Sequence, residues 1–250
     1  MHYAAISALS HDGLVRDHNE DSLVAGAWTL CAAVTPTPQT FYVPIGEPVV
    51  VAVADGLGGH PAGEEASSLA VRMLAWVSPS LTDDAAVRDA LDACNEIVYA
   101  EAALDPERTA MGTTVAGVAV TEEGVVVFNV GDSRVYLVGD DKLVQLSEDD
   151  NEPAAPGQRR SSVVTQTLGG HIDSASVVAH VNTRPLTDGE RYLICTDGLT
   201  DAVDEPAIDS ILRSHEGGRA AFELWKAAID AGAPDNVTLA LVEIATQDTE

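Results

Sequence analysis

Residues 112–139 read GTTVAGVAVTEEGVVVFNVGDSRVYLVG, and this stretch decides the fold class. Two apolar, β-branched runs flank Glu122-Glu123-Gly124, and Asp140-Asp141 stands before a further run, KLVQL. Turns this short join antiparallel strands, because a parallel pair needs a crossover of a dozen residues or more. The stretch is therefore a meander.

Upstream the period changes from two to about 3.6. In AGEEASSLAVRMLAWV, Ala66, Leu69, Ala70, Met73 and Val77 share one helical face, and Pro79 stops the helix. In DDAAVRDALDACNEIVYAEAAL, Val87, Leu91, Cys94 and Val98 do the same, with Asp83 and Asp84 at the start. Before these helices comes P48VVVAVADGLGGH60, in which Val49 to Ala54 is an unbroken apolar run suited to a strand buried on both faces. Residues 2–9 and Ser22 to Trp28 read as strands, and residues 34–47, with three prolines, as a loop or a hairpin insertion. Downstream, residues 147–162 are almost without apolar content and are expected to form a mobile flap. Strands resume at SVVAHVN and RYLICT. Helices are expected near Pro206–Arg213 and from Arg219 to Ala231, and NVTLALVEIA closes the chain as a strand. This order is not βαβ alternation. It fits an α+β protein, a four-layer α/β/β/α sandwich of two antiparallel sheets flanked by helices. One domain over residues 1–246 is expected, with 247–250 as a short tail.

Composition excludes several classes. The 250 residues are 46% hydrophobic, enough for a full core. No apolar run approaches the roughly 20 residues of a membrane span, and the N-terminus shows no signal-peptide pattern, so a cytoplasmic protein is expected. Cys31, Cys94 and Cys195 form no CxxC and no disulfide framework. None has an arginine six positions on, which removes the phosphate loop of cysteine phosphatases. The formal charge of −27 repels nucleic acid and anionic lipid. No GxxxxGK[ST] run is present, which excludes a P-loop NTPase.

The chemistry lies in carboxylates at strand ends. Asp55 ends the 49–54 run and is followed by Gly56, Gly58 and Gly59, which let the backbone bend and approach a ligand. A carboxylate there is costly unless something pairs it, and a cation does so best; the other reading is a strand-to-helix turn that Asp55 merely caps. Glu20 and Asp21 precede a strand, Asp132 and Asp197 follow strands, and Asp235 precedes one. Gathered together, such residues form an oxygen-only shell that suits Mg²⁺ or Mn²⁺ and not zinc. One bridging aspartate can hold two ions about 3.5–4 Å apart, an arrangement used to activate water in phosphoryl transfer.

With R16DHNED21, D55GLGGH60, M111GTT114, N129VGDSRVY136, L168GG170, T196DGLTD201 and D235NVT238 in this order, the chain resembles the bacterial type 2C metal-dependent Ser/Thr protein phosphatases (the PPM family). These motifs span nearly the whole chain. The resemblance implies two Mn²⁺ or Mg²⁺ ions per site and hydrolysis of phosphoserine or phosphothreonine by a hydroxide bridging them. By that resemblance Asp55 bridges both metals, with the Gly56 carbonyl on one. Asp197 and Asp235 hold the first metal, Glu20 reaches the second mainly through water, and Asp21 supports the metal site or its waters. Asp132 holds a third, weaker ion in bacterial members, and Arg16 binds phosphate, for which a bidentate guanidinium is well shaped. His60 is a candidate proton donor to the leaving alkoxide, with a surface or capping role as the alternative.

For His2, His11, His171, His180 and His215 surface or core roles are expected. Asp201 reads as a helix N-cap or a residue behind the metal ligands, the cap being favoured, and Thr113 and Thr114 as strand residues that buttress the site. Two departures concern substrate choice. Where the family shows Leu-Thr-x-Asp-His, this chain has L146SEDD150, so Asp150 replaces the histidine; where an arginine often precedes Leu-Gly, Gln166 stands. Arg159 and Arg160 on the flap are candidates to meet a phosphopeptide, with an ordinary solvated role as the alternative. The expected partners are phosphorylated Ser/Thr proteins, a Ser/Thr kinase and its substrates, with the protein a monomer. The competing readings are a catalytically weak, phosphoprotein-binding regulatory pseudophosphatase, and an acidic cation-binding protein without catalysis, which leaves Arg16 unexplained.

Overall fold

The computed structural model describes residues 2–57, 62–108, 110–154, 161, 163–171 and 176–246. Its strands are β1 (His2–His11), β2 (Ser22–Ala25), β3 (Trp28–Cys31), β4 (Gln39–Pro44), β5 (Val49–Ala54), β6 (Gly56–Leu57), β7 (Gly112–Thr113), β8 (Val115–Val120), β9 (Gly124–Val130), β10 (Arg134–Val138), β11 (Leu143–Gln145), β12 (Leu168–Gly169), β13 (His180–Pro185), β14 (Arg191–Cys195) and β15 (Val237–Thr246). The α-helices are α1 (Ala62–Val77), α2 (Asp84–Ala102), α3 (Asp197–Ala202), α4 (Glu205–Ser214) and α5 (Gly217–Asp230).

Two six-stranded sheets, in the orders β11-β10-β14-β15-β1-β4 and β13-β9-β8-β5-β2-β3, pair antiparallel throughout, and β12-β7-β6 form a small third sheet. The alternation of side chains along each strand makes the layers. In β5, Val49, Val51 and Val53 enter the core between the large sheets, while Val50, Ala52 and Ala54 pack under α1 and α2. In β15, Ala240, Val242 and Ile244 face the same central core, while Val237, Leu239 and Leu241 pack against the face that carries α3, α4 and α5. The four-layer α/β/β/α sandwich expected from the element order is the observed architecture.

Several local expectations change. Residues 34–47 are not only a loop: Gln39–Pro44 pairs with β1 as an edge strand, a place where Pro44 is tolerated. The run Ser22 to Trp28 is two strands, because Gly26 (φ +61°) turns the chain between Ala25 and Trp28. In α1, Ala66 and Ala70 are buried with Val71 and Leu74, so the core face is rotated from the expected one and Leu69 and Met73 are only partly buried. The strand expected at SVVAHVN starts at His180 and runs on to Pro185. Of the expected flap, residues 155–160 and 162 lie outside the described residues, and so do Arg159 and Arg160. Among the described residues no helix is long and apolar enough to cross a membrane.

Candidate active site

Register brings the carboxylates to one end of the sandwich. His11 at the end of β1 pairs with Val237 at the start of β15. Cys195 at the end of β14 pairs with Leu239 and with Arg134 at the start of β10. On the other sheet Ala54 at the end of β5 pairs with Ser22 at the start of β2. The segments that carry Glu20, Asp55, Asp132, Asp197 and Asp235 therefore leave the two sheets side by side.

These residues line one cavity of about 330 Å³, together with Arg16, Gly56, Leu57, Val164, Asp201 and Asn236. Asp55 is fixed through its backbone. Its carbonyl accepts the Thr114 N–H and the Thr113 hydroxyl, each at 2.9 Å, and its N–H donates to Thr114 Oγ1 at 3.3 Å. The two threonines thus buttress it, as expected. Gly56 allows three segments to meet: a Cβ there would overlap the Gly63 carbonyl oxygen and crowd the Glu20 carbonyl oxygen.

Asp21 lies behind the cavity wall, buried, and Thr196 Oγ1 donates to its Oδ2 at 2.9 Å. Thr196 sits where β14 passes into α3, whose first residue is Asp197. Asp235 Oδ1 accepts the Asn236 N–H at 2.8 Å. Asn236 also ties down the 12–20 segment: its amide nitrogen donates to the Asp12 and His18 carbonyls, both at 3.0 Å, and its oxygen accepts the Glu20 N–H at 2.9 Å. Arg16 lies across the mouth, its Nη2 donating to Asp235 Oδ2 at 2.8 Å, with Nη1 4.0 Å from Glu20 Oε2.

The electrostatics are those of a site short of positive charge. Burial, then the charges of Asp21, Asp197, Asp235 and Asp132, push the Asp55 carboxyl well above the ordinary range, although part of the residue still faces the cavity. Burial pushes Asp21 up to about 7, against the hydrogen bonds of Thr238 and Thr196. Glu20 is raised by burial, against the opposing pull of His18 and Arg16. Glu20 Oε1 and Asp21 Oδ1 are buried without a hydrogen-bond partner. Orphaned acceptors and mutually repelling carboxylates are what a divalent cation relieves. The residues fit such ions chemically: every candidate side-chain donor is an oxygen. Among the described residues no three His, Cys, Asp or Glu side chains close round a single point. The donors ring a wider cavity, which suits ions that keep several waters, as Mg²⁺ does.

Residues 40–232 match the family model described as protein phosphatase 2C. The chain belongs to the protein phosphatase 2C family. Relatives within the 2C family include the serine/threonine protein phosphatase PstP of Mycobacterium tuberculosis, 32% identical over 97% of this chain. This chain spans only 45% of that protein's length. Another is the serine/threonine phosphatase stp of Listeria welshimeri, 31% identical over 92% of each chain. The crystal structure of the PstP catalytic domain with two manganese ions superimposes with a TM-score of 0.81 at 29% identity, covering 98% of this chain and 100% of that one.

The structure corrects or extends the sequence reading of this 2C-type site in particulars. Asp201 is not an N-cap. It lies inside α3, one turn beyond Asp197, and lines the cavity, while the next helix, α4, is capped by Asp204, whose side chain accepts the Ala207 N–H. His60 lies outside the described residues, as do Gly58 and Gly59. His18, which no pattern singles out, places Nε2 3.6 Å from Glu20 Oε1. His180, expected to have a surface or core role, is partly exposed and contacts the two carboxylates of Glu148 and Asp150. Asn236 follows the acidic residue of its motif and gave no sequence signal beyond that place.

Proposed function

We propose that this domain is a Mn²⁺- or Mg²⁺-dependent protein serine/threonine phosphatase. The observation that carries the reading is the joint placement of Glu20, Asp55, Asp132, Asp197 and Asp235 round one cavity with a guanidinium at its mouth. PstP and stp bear names of that activity. Asp55, Asp197 and Asp235 would hold one ion and Asp55 with Glu20 a second, with the Gly56 carbonyl as a further oxygen donor and Asp132 serving a third, weaker one. Bound divalent ions supply the positive charge that lowers the pKa of water and neutralises phosphoryl oxygens.

This chain's own residues do the rest. Asp55 sets the position of the centre, because its backbone is fixed to Thr113 and Thr114. Asp21 and Thr196 tie the segment carrying Glu20 to the start of α3, which carries Asp197. Asn236 holds the 12–20 segment, so Arg16 and Glu20 keep their places relative to Asp235. Arg16 orients the phosphate and offsets charge as the bond to the leaving oxygen breaks. The substrates on this reading are phosphorylated Ser/Thr proteins, including a Ser/Thr kinase and its targets.

The experiment is hydrolysis of a phosphothreonine peptide with and without metal. Activity should need Mn²⁺ or Mg²⁺, vanish with chelator and not return with zinc. Full turnover in metal-free buffer would overturn the reading.

A further inference from the structure

The side chains of Asp150 and Gln166 touch each other. Gln166 Nε2 donates to Asp150 Oδ2 at 2.9 Å, and the same oxygen accepts the Gly131 N–H at 2.9 Å. The other carboxylate oxygen stands 2.9 Å from His180 Nε2. The Asp150 side chain is only 14% exposed, and a carboxylate so enclosed requires donors of this kind. Backbone bonds follow the same route. Asp150 N–H donates to the Gly131 carbonyl at 3.1 Å, and Thr165 N–H to the Asp150 carbonyl at 2.7 Å. Gln166 carries the connection onward, its Oε1 accepting the Val178 N–H at 2.7 Å. Four segments meet on this one carboxylate: the Gly131–Asp132 turn, residues 150–152, residues 163–166, and the entry to β13.

The turn they meet on leads straight into Asp132. Gly131 has φ +94°, and a Cβ there would stand 2.7 Å from the Thr114 side chain, so the turn is specific to glycine. A second link runs beside the first. Asn151 Nδ2 donates to Asp132 Oδ2 at 3.0 Å, Asn151 bridges Val164, and Val164 lines the cavity. Asp150 therefore holds the backbone of the Asp132 turn, while its neighbour holds the Asp132 carboxylate and the cavity wall opposite.

We propose that Asp150 is a positioning residue, partnered by Gln166 and His180, that locks residues 150–152 and 163–166 to the Asp132 turn, so that Asp132 and the Val164 wall of the substrate cavity hold one fixed relation. The proposal rests on the phosphatase reading for the role given to Asp132. Asp150 touches no reacting atom on this view, and its effect passes through Asp132 and through the wall that a phosphopeptide meets.

The test is Asp150→Ala, Asp150→Asn, Gln166→Ala and the Asp150→Ala/Gln166→Ala pair, read in two ways. Calorimetric titration with Mn²⁺ measures binding, with Asp132→Asn marking the step that depends on Asp132. Kinetics at saturating Mn²⁺ separate KM for a phosphopeptide from kcat for a small aryl phosphate. Asp150→Ala should weaken the Asp132-dependent step about tenfold, the scale of losing a partner that orients a ligand. It should raise the phosphopeptide KM about fivefold or more while kcat for the aryl ester stays within about threefold. Gln166→Ala should move both readouts the same way and add little once Asp150 is gone. Asp150→Asn should fall between wild type and Asp150→Ala. An Mn²⁺ isotherm that Asp132→Asn leaves unchanged, or an Asp150→Ala protein with an unaltered isotherm and KM, overturns the proposal. So does a fall in kcat on both substrates with no change in Mn²⁺ binding. If Asp150→Ala does not fold, Gln166→Ala decides by the same readouts. A wild-type protein with no metal-dependent hydrolysis defeats the phosphatase reading, and the Mn²⁺ titrations still judge Asp150.

Discussion

Arg16 donates to Asp235 at 2.8 Å, so the guanidinium that lines the cavity among the described residues is paired with a carboxylate proposed as a metal ligand. On the proposed phosphatase reading, phosphate and Asp235 share the same donor fork. A guanidinium can serve both only because it presents five N–H groups in a plane, which an ammonium cannot match. Arg16→Lys should raise KM for a phosphopeptide about tenfold at saturating Mn²⁺, close to the effect of Arg16→Ala, while Mn²⁺ binding changes little. A lysine variant with wild-type KM would show that charge alone is needed at this position.

Asp55 and Asp201 line the same cavity but differ in what surrounds them. Burial first, and then the charges of four neighbouring carboxylates, raise the Asp55 pKa, so a cation placed beside Asp55 relieves both. Asp55→Asn should lower kcat/KM by more than about 100-fold and should not be rescued by excess Mn²⁺. Asp201→Asn, one helical turn from Asp197, should cost about tenfold and be partly rescued by Mn²⁺, as for a residue that orients ligands or their waters. Steady-state kinetics over a Mn²⁺ series separate the two, and equal losses would contradict the assignment.

The raised carboxylates also predict how metal and pH act together. A carboxyl whose folded pKa lies above its unfolded value binds its proton more tightly when folded. Its contribution to stability is fully present below the unfolded pKa, near 4, and is lost as pH rises through the folded one. For Asp21 that window ends near the value of about 7 to which burial raises it, and Asp55 shifts in the same direction. The metal-free protein should thus lose stability from these groups between about pH 4 and 7, and a bound cation should remove the loss. The rise in Tm caused by Mn²⁺ should be larger at about pH 7.5 than at about pH 5. Equal shifts at both pH values would mean that the charge gathered on Asp55 and Asp21 is not what the cation relieves.

Much of this was legible in the sequence, for identifiable reasons. The strand β5 reads plainly because six consecutive apolar residues fit only a strand covered on both faces, and both faces are covered. The carboxylate positions read plainly because each interrupts or adjoins such a run. The edge strand β4 did not, since its alternation of half-buried and exposed positions is broken up by the prolines around it. The helix α3 did not, being six residues long with Gly198 inside it, and the mistaken cap at Asp201 followed from that. Asn236, His180 and the Asp150–Gln166 pair act between segments distant in sequence, and no local period encodes such contacts. The departures at Asp150 and Gln166 were visible one at a time; that they answer each other appears only in three dimensions.

Arg134 and Asp149 provide the last prediction, which concerns stability. Arg134 follows the Asp132 turn, and its Nε and Nη2 meet Asp149 in a forked pair at 2.6 to 3.0 Å. The side chains are only 15% and 18% exposed, so water screens the pair little. Arg134 Nη1 donates to the Tyr136 hydroxyl at 2.8 Å and lies 3.7 Å from Glu205 Oε1, and Gln145 Nε2 donates to Asp149 Oδ1 at 2.8 Å, so further hydrogen bonds support the pair. Breaking such a pair from one side leaves a desolvated charge behind, whereas replacing both partners by apolar groups does not. Asp149→Ala should destabilise the protein by about 3 kcal/mol, read as a shift in the denaturant midpoint at unchanged slope. The double substitution Arg134→Met/Asp149→Leu should recover most of that loss. A double variant as unstable as the single one would show that the pair itself, and not relief from a buried guanidinium that has lost its forked partner, supplies the stability.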